Sequence, residues 1–187
     1  IQKQPKLSVS IDKTAVCEGE DVTIIPTAEN VDDLIWKSSE DGGVTFNDDP
    51  GTLQRHTYNL TKTTIVLVTT KSDNACEQVV WTQEVEVEPA FSVSFDNNTT
   101  VLCPNEEVEI KASVDGMNDN LKFEWTKSVD GINFSTIRPT DDPTIVKTTL
   151  DTTTIFSIKV SGKYCEAQTD TTTAKTDEIP TLTLETS

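Results

Sequence analysis

The side chains in this sequence that could carry out chemistry are four cysteines, one histidine and an excess of carboxylates. His56 is the single histidine of the 187 residues, and no serine or cysteine motif accompanies it to form a nucleophilic site. Since Asp and Glu together number 32, two neighbouring carboxylates do not by themselves indicate an acid–base pair. We therefore predict a surface position for His56, no catalytic residue and no enzymatic activity.

The cysteines are Cys17, Cys76, Cys103 and Cys165, and no two are closer than the 27 positions between Cys76 and Cys103. Structural zinc sites draw on Cys pairs two to four residues apart. An even number of widely spaced cysteines is more typical of disulfide bonds in an exported chain.

Oxygen-rich turns make calcium a weak alternative to a protein without cofactors. The strongest cluster comprises Asp115, Asn118, Asp119 and Asn120, and the pairs Asp48-Asp49 and Asp141-Asp142 each precede a proline. A calcium site needs six to eight converging oxygen ligands, whereas Asp and Asn are also common in solvated turns. The sequence favours solvated turns and no cofactor.

The formal net charge of −17 restricts the class of partner. Nucleic-acid binding relies on cationic side chains that neutralise phosphates, and association with anionic membranes relies on polybasic segments. We therefore expect neither partner. No apolar run approaches the roughly 20 residues that cross a bilayer.

The chain is a tandem repeat, which sets its domain organisation. Cysteine-led CEGEDVTI and CPNEEVEI segments begin at Cys17 and Cys103, and LIWKSSEDGGVTF and FEWTKSVDGINF surround Trp36 and Trp125. LTKTTIVLV and LDTTTIFSI follow in the same order. We predict repeats over residues 1–88 and 89–179, and residues 180–187 as the start of a further repeat or a tail.

Each repeat alternates apolar and polar residues, which indicates strands with one buried face. Val108, Ile110, Ala112 and Val114 show the pattern, and no segment of ten or more residues has helical periodicity. Asp41-Gly42 and Asp130-Gly131 follow the Trp strands, where a tight hairpin needs positive φ. The prediction is an all-β chain of two antiparallel sandwiches with roughly seven strands each.

The order Cys, Trp, Thr-rich strand, Cys resembles the immunoglobulin fold. The variant here resembles the immunoglobulin-like repeats of large Bacteroidetes surface adhesins, in motifs such as Trp36-Lys-Ser-Ser-Glu-Asp-Gly42 and Trp125-Thr-Lys-Ser-Val-Asp-Gly131. The resemblance covers nearly the whole chain. It implies one disulfide at one end of each sandwich, Cys17 with Cys76 and Cys103 with Cys165, and core positions for Trp36 and Trp125.

The same resemblance implies a function outside the cell. Family members include gliding-motility adhesins exported by the type IX system, so the chain is expected to be a secreted or cell-surface stalk or adhesive surface. Its expected partners are neighbouring repeats and surface glycans or proteins. The alternative is a glycan- or protein-binding module that uses loops at one end of a sandwich.

Overall fold

The computed structural model describes residues 4–50, 53–71, 78–95 and 101–177, and the secondary structure of these residues is entirely β. The chain divides into two compact units between Ala90 and Phe91. We call them module 1 and module 2. The expected further repeat at residues 180–187 lies outside the described residues.

The described part of module 1 contains eight strands in two sheets. They are β1 (Lys6–Ile11), β2 (Ala15–Cys17), β3 (Asp21–Glu29), β4 (Asp33–Ser39), β5 (Asn47–Asp49), β6 (His56–Asn59), β7 (Thr64–Lys71) and β8 (Val80–Glu88). One sheet has the order β1-β3-β6 and the other the order β2-β8-β7-β4-β5.

Module 2 repeats this arrangement strand for strand. Its strands are β9 (Ser92–Phe95), β10 (Val101–Leu102), β11 (Glu106–Asp115), β12 (Lys122–Ser128), β13 (Ser135–Ile137), β14 (Ile145–Leu150), β15 (Thr154–Ser161) and β16 (Gln168–Thr176). The sheet orders are β9-β11-β14 and β10-β16-β15-β12-β13.

The predicted alternation places the apolar side chains between the two sheets of each module. In module 2, Val108 and Ile110 of β11 belong to one apolar cluster with Trp125 of β12 and Phe156 of β15. Trp36 and Trp125 are each 1% exposed. The two tryptophans therefore occupy equivalent places in the cores of their modules.

One strand pairing in each module differs from the purely antiparallel prediction. The pair β2–β8 runs parallel, with Ala15 opposite Glu86 and Cys17 opposite Glu88, and the pair β10–β16 does the same. After β1 has paired with β3, the chain bends at residues 12–14 and continues in the other sheet. The first strand of the predicted sandwich is thus divided between both sheets.

Candidate functional site

His56, predicted to lie at the surface, is half-buried and packs beside aromatic rings. Its ring centroid is 5.4 Å from that of Trp36 and 4.3 Å from that of Tyr58. The Tyr58 hydroxyl donates a hydrogen bond to Asp49 Oδ2 at 3.1 Å. Burial, with the nearby Asp49 carboxylate, raises the pKa of Tyr58 far above its usual range. Tyr58 also packs against the apolar cluster that contains Trp36.

The cysteines do not follow the predicted pairing. Cys17 and Cys165 are disulfide-bonded, but Cys103 is free and exposed, so the predicted Cys103–Cys165 bond is wrong. Leu102, next to Cys103, pairs with Thr176 at the end of β16, whereas Cys165 precedes the start of that strand. Eight strand steps of about 3.3 Å separate the two ends of β16, and a disulfide needs Cα atoms within about 7 Å. Cys76 lies outside the described residues.

The candidate calcium cluster forms a turn between β11 and β12. Asn118 Oδ1 accepts a hydrogen bond from Asn120 N at 3.0 Å, and Asn118 O accepts one from Leu121 N at 3.3 Å. Asn118 therefore acts as the first residue of an Asx turn. Within the described ranges, no three His, Cys, Asp or Glu side chains are placed to hold a metal ion together.

The feature that most resembles a binding surface is the loop after each Trp strand. Residues 40–46 join β4 to β5 and are called the Asp41 loop here. Asp41 Oδ1 accepts hydrogen bonds from Ser39 Oγ at 2.7 Å and from Val44 N at 3.0 Å. The Thr45 amide and hydroxyl also donate to Asp41. The Asp41 carboxylate therefore stabilises the loop conformation through hydrogen bonds to both ends of the loop.

Module 2 builds its equivalent, the Asp130 loop (residues 129–134), in the same way. Asp130 Oδ1 accepts from Ser128 Oγ at 2.8 Å, from Ile132 N at 2.9 Å and from Asn133 N at 2.8 Å. The Asn133 amide donates to Asp130 Oδ2 at 2.7 Å. Ser39 and Ser128 are buried at the ends of their strands and also accept the amides of Gly43 and Gly131.

The hydrogen bonds make both carboxylates unusually acidic. Donation by the Thr45 hydroxyl and amide holds the pKa of Asp41 well below its usual range. The Asn133 amide and side chain do the same to the pKa of Asp130. Both residues therefore remain ionised at any pH near neutrality and keep the loop conformation fixed.

These fixed loops present apolar side chains to solvent. Val44 and Ile132 are each 82% exposed, and Phe46, Val129 and Phe134 are also exposed. The positive φ of Gly43, 89°, and of Gly131, 71°, allows the backbone to turn outwards. Each glycine lies close to an isoleucine side chain. A Cβ added at Gly43 would lie 3.5 Å from Ile65 Cδ1, and a Cβ added at Gly131 would lie 3.4 Å from Ile155 Cδ1. From the sequence, Asp41-Gly42 and Asp130-Gly131 are predicted only to form tight hairpin turns.

Solved structures show that this architecture is immunoglobulin-like. The N-terminal eight immunoglobulin domains of Down Syndrome Cell Adhesion Molecule match 94% of this chain with a TM-score of 0.66 and 9% identity. Immunoglobulin domains 1–5 of Sidekick-1 match 94% with a TM-score of 0.57 and 13% identity. The chain spans 25% and 39% of those two chains, respectively. At such low identity the likeness establishes the fold alone.

Neither a protein-family model nor a curated protein sequence matches the chain. Within residues 4–50, 53–71, 78–95 and 101–177, the structure contains no helix that could span a membrane.

Proposed function

We propose that the chain is a pair of non-enzymatic immunoglobulin-like repeats of an adhesive cell-surface protein, and that the Asp41 and Asp130 loops form its contact surface. The observation that carries this proposal is the repetition of one exposed, internally braced apolar loop in both modules. Exposed apolar groups on an otherwise solvated protein commonly mark interaction sites.

The loops have the physical properties that adhesion requires. Fully burying a Val, Ile or Phe side chain contributes about 1.5–3 kcal/mol. Because Asp41 and Asp130 already fix the loops, little conformational entropy is lost when the side chains meet a partner. Each further copy of the module adds another contact to the same chain, so weak individual contacts combine into strong overall attachment.

The proposed setting is outside the cell. Cys17 and Cys165 are disulfide-bonded, and disulfide bonding is typical of oxidising compartments. Repetition of one sandwich is a common way to build long surface proteins, and the repeat motifs resemble those of Bacteroidetes adhesins, including gliding-motility proteins exported by the type IX system. The proposed partners are adjoining repeats and surface proteins or glycans, with no role for nucleic acid.

Adsorption to chemically defined surfaces tests the proposal. The chain is passed over alkyl-terminated and hydroxyl-terminated monolayers in a quartz-crystal microbalance. We expect retention on the alkyl surface, and at least a tenfold loss when Val44, Phe46, Ile132 and Phe134 are all replaced by Ser.

The matched control replaces exposed apolar residues elsewhere, Ile25→Ser and Val101→Ser, which are 47% and 55% exposed. This control should retain wild-type adsorption. Equal losses in the loop variant and the control would contradict the assignment of the contact surface to the loops. Wild-type adsorption by the loop variant would leave the chain a stalk without an adhesive role.

A further inference from the structure

Module 2 has a cavity of about 200 Å³ beside the Asp130 loop. Val129, Asn133 and Ser135 line it on one side. Thr149 of β14 lines it on the other, together with Asp151 and Thr152 in the turn between β14 and β15. Its volume is below the 300–1,000 Å³ of pockets for drug-sized ligands, so it suits one small ring.

Module 1 has an exposed ion pair at the equivalent positions. Repeat alignment matches Glu40 to Val129 and Lys62 to Thr152. Lys62 Nζ lies 3.7 Å from Glu40 Oε2, and both side chains are exposed. With Val129 and Thr152 in their places, module 2 has shorter side chains and no ion pair at these positions.

The chemistry of the lining is that of a polyol site. The side chains of Thr149, Asp151 and Thr152 make no hydrogen bond within the described part of the chain, and all three residues are exposed. They offer two hydroxyls and a carboxylate, which together donate and accept hydrogen bonds. Val129, 68% exposed, adds an apolar wall that the carbon-bound face of a sugar ring can contact.

Anions and metal cations are less suitable ligands for this cavity. Lys127 also lines the cavity, but its Nζ already donates a hydrogen bond to Thr148 Oγ1 at 3.2 Å. The Asp151 carboxylate in the lining, the adjacent Asp130 carboxylate and the net charge of −17 disfavour an anion. A tightly held metal cation needs more carboxylate and carbonyl oxygens than converge here. A neutral polyhydroxylated ligand is not repelled by the carboxylates and does not need a complete set of metal-binding oxygens.

We propose that this cavity binds a single residue of a neutral saccharide. The inference deepens the proposed adhesive function and rests on it for its extracellular setting. It makes module 2 a glycan-binding repeat, and it assigns no such site to the equivalent positions of module 1. Asp151 acts as the bidentate acceptor for neighbouring sugar hydroxyls, and Thr149 and Thr152 hydrogen-bond at its sides.

Nuclear magnetic resonance titration of the ¹⁵N-labelled chain tests the inference. The probes are the methyl glycosides of galactose, glucose and N-acetylglucosamine, with glucuronate and glucosamine as charged comparisons. We expect at least one neutral glycoside to shift the amides of Val129, Asn133 and Thr152, and to leave those of Glu40 and Lys62 unchanged. Absence of shifts with every neutral glycoside, or a response to glucosamine or glucuronate alone, would overturn the proposal.

Two variants separate specific binding from a general surface effect. Val129→Glu with Thr152→Lys recreates the ion pair of module 1 across the cavity and should abolish the shifts. Asp151→Ala removes only the acceptor and should weaken binding at least tenfold. The matched control, Glu29→Val with Lys6→Thr, removes an exposed ion pair between β1 and β3 and should titrate as the wild type does.

Wild-type titration by both site variants would contradict the inference. The alkyl-surface assay separates this failure from failure of the proposed function, because its loop variant retains Val129, Asp151 and Thr152. Adsorption without saccharide binding refutes only the glycan site. Saccharide binding without adsorption refutes only the apolar contact surface.

Discussion

Replacement of Trp125 by Ala should strongly destabilise module 2 and leave the stability of module 1 unchanged. Trp125 is 1% exposed, its ring centroid is 5.7 Å from that of Phe95, and its Nε1 donates to Pro143 O at 2.8 Å. Deletion of a large core aromatic costs about 3–5 kcal/mol. The edge contact with Phe95 and the hydrogen bond place Trp125 in the upper part of that range, at about 4–5 kcal/mol.

This loss is a large fraction of the stability of the module. A domain of this size is stable by about 5–13 kcal/mol, and every 1.4 kcal/mol changes an equilibrium tenfold. Amide protection in β12 and β15 should therefore fall by about a thousandfold, measured by hydrogen exchange with mass spectrometry. Peptides from β4 and β7 report on module 1 in the same sample and should be unaffected.

Two further variants identify the cause. Trp125→Phe keeps an aromatic ring but loses the indole N–H, so it should cost about 1–2 kcal/mol. Trp36→Ala should give the mirror result, with protection lost in β4 and β7 only. Unchanged protection of β12 and β15 in Trp125→Ala would refute the reasoning that this tryptophan holds the core together.

The remaining predictions concern acid stability and thiol chemistry. The lowered pKa values of Asp41 and Asp130 mean that their loop contacts stabilise the fold fully above the unfolded-state pKa of about 3.9 and lose that contribution as pH falls below it. Between pH 5 and 2, the melting temperature of the wild type should approach that of the Asp41→Asn, Asp130→Asn variant; a constant difference would contradict this. Free Cys103 should be alkylated in the native chain, and Cys17 and Cys165 only after reduction, as peptide mass mapping can show. Detection of a disulfide-linked Cys103–Cys165 peptide from the native chain would contradict this prediction and support the pairing predicted from the sequence.

The strands and the core positions of the two tryptophans could be predicted from the sequence because both depend on local residue patterns. Alternation along a strand determines which side chains share a face, and the repeated Trp sits in the middle of such a pattern. The parallel β2–β8 pair was not accessible, because Ala15–Cys17 is too short to show a period. The change of sheet depends on long-range pairing with β8.

Cysteine pairing failed for a related reason. Linear order shows that Cys103 comes before one strand and Cys165 after another, but it does not show at which end of the sandwich each lies. The register of Leu102 with Thr176 determines this. The apolar loops did carry a local signal, a repeated Ser-x-Asp-Gly or Ser-Ser-x-Asp-Gly segment followed by Val or Ile and then Phe. Asp-Gly is also typical of ordinary hairpin turns, so the repeated segment did not by itself indicate an exposed apolar loop.

The parallel pairing of the first and last strands also determines how each module responds to force. In module 1, β2 lies close to the start of the module and β8 ends it, joined by bonds such as Glu18 N to Glu88 O at 2.8 Å and Glu86 N to Thr14 O at 3.0 Å. Tension applied to the two ends slides parallel strands along each other, so these bonds bear the load together and not one after another. When an adhesive chain is stretched between a cell and a surface, the pairing of β2 with β8 would therefore resist unfolding of the module.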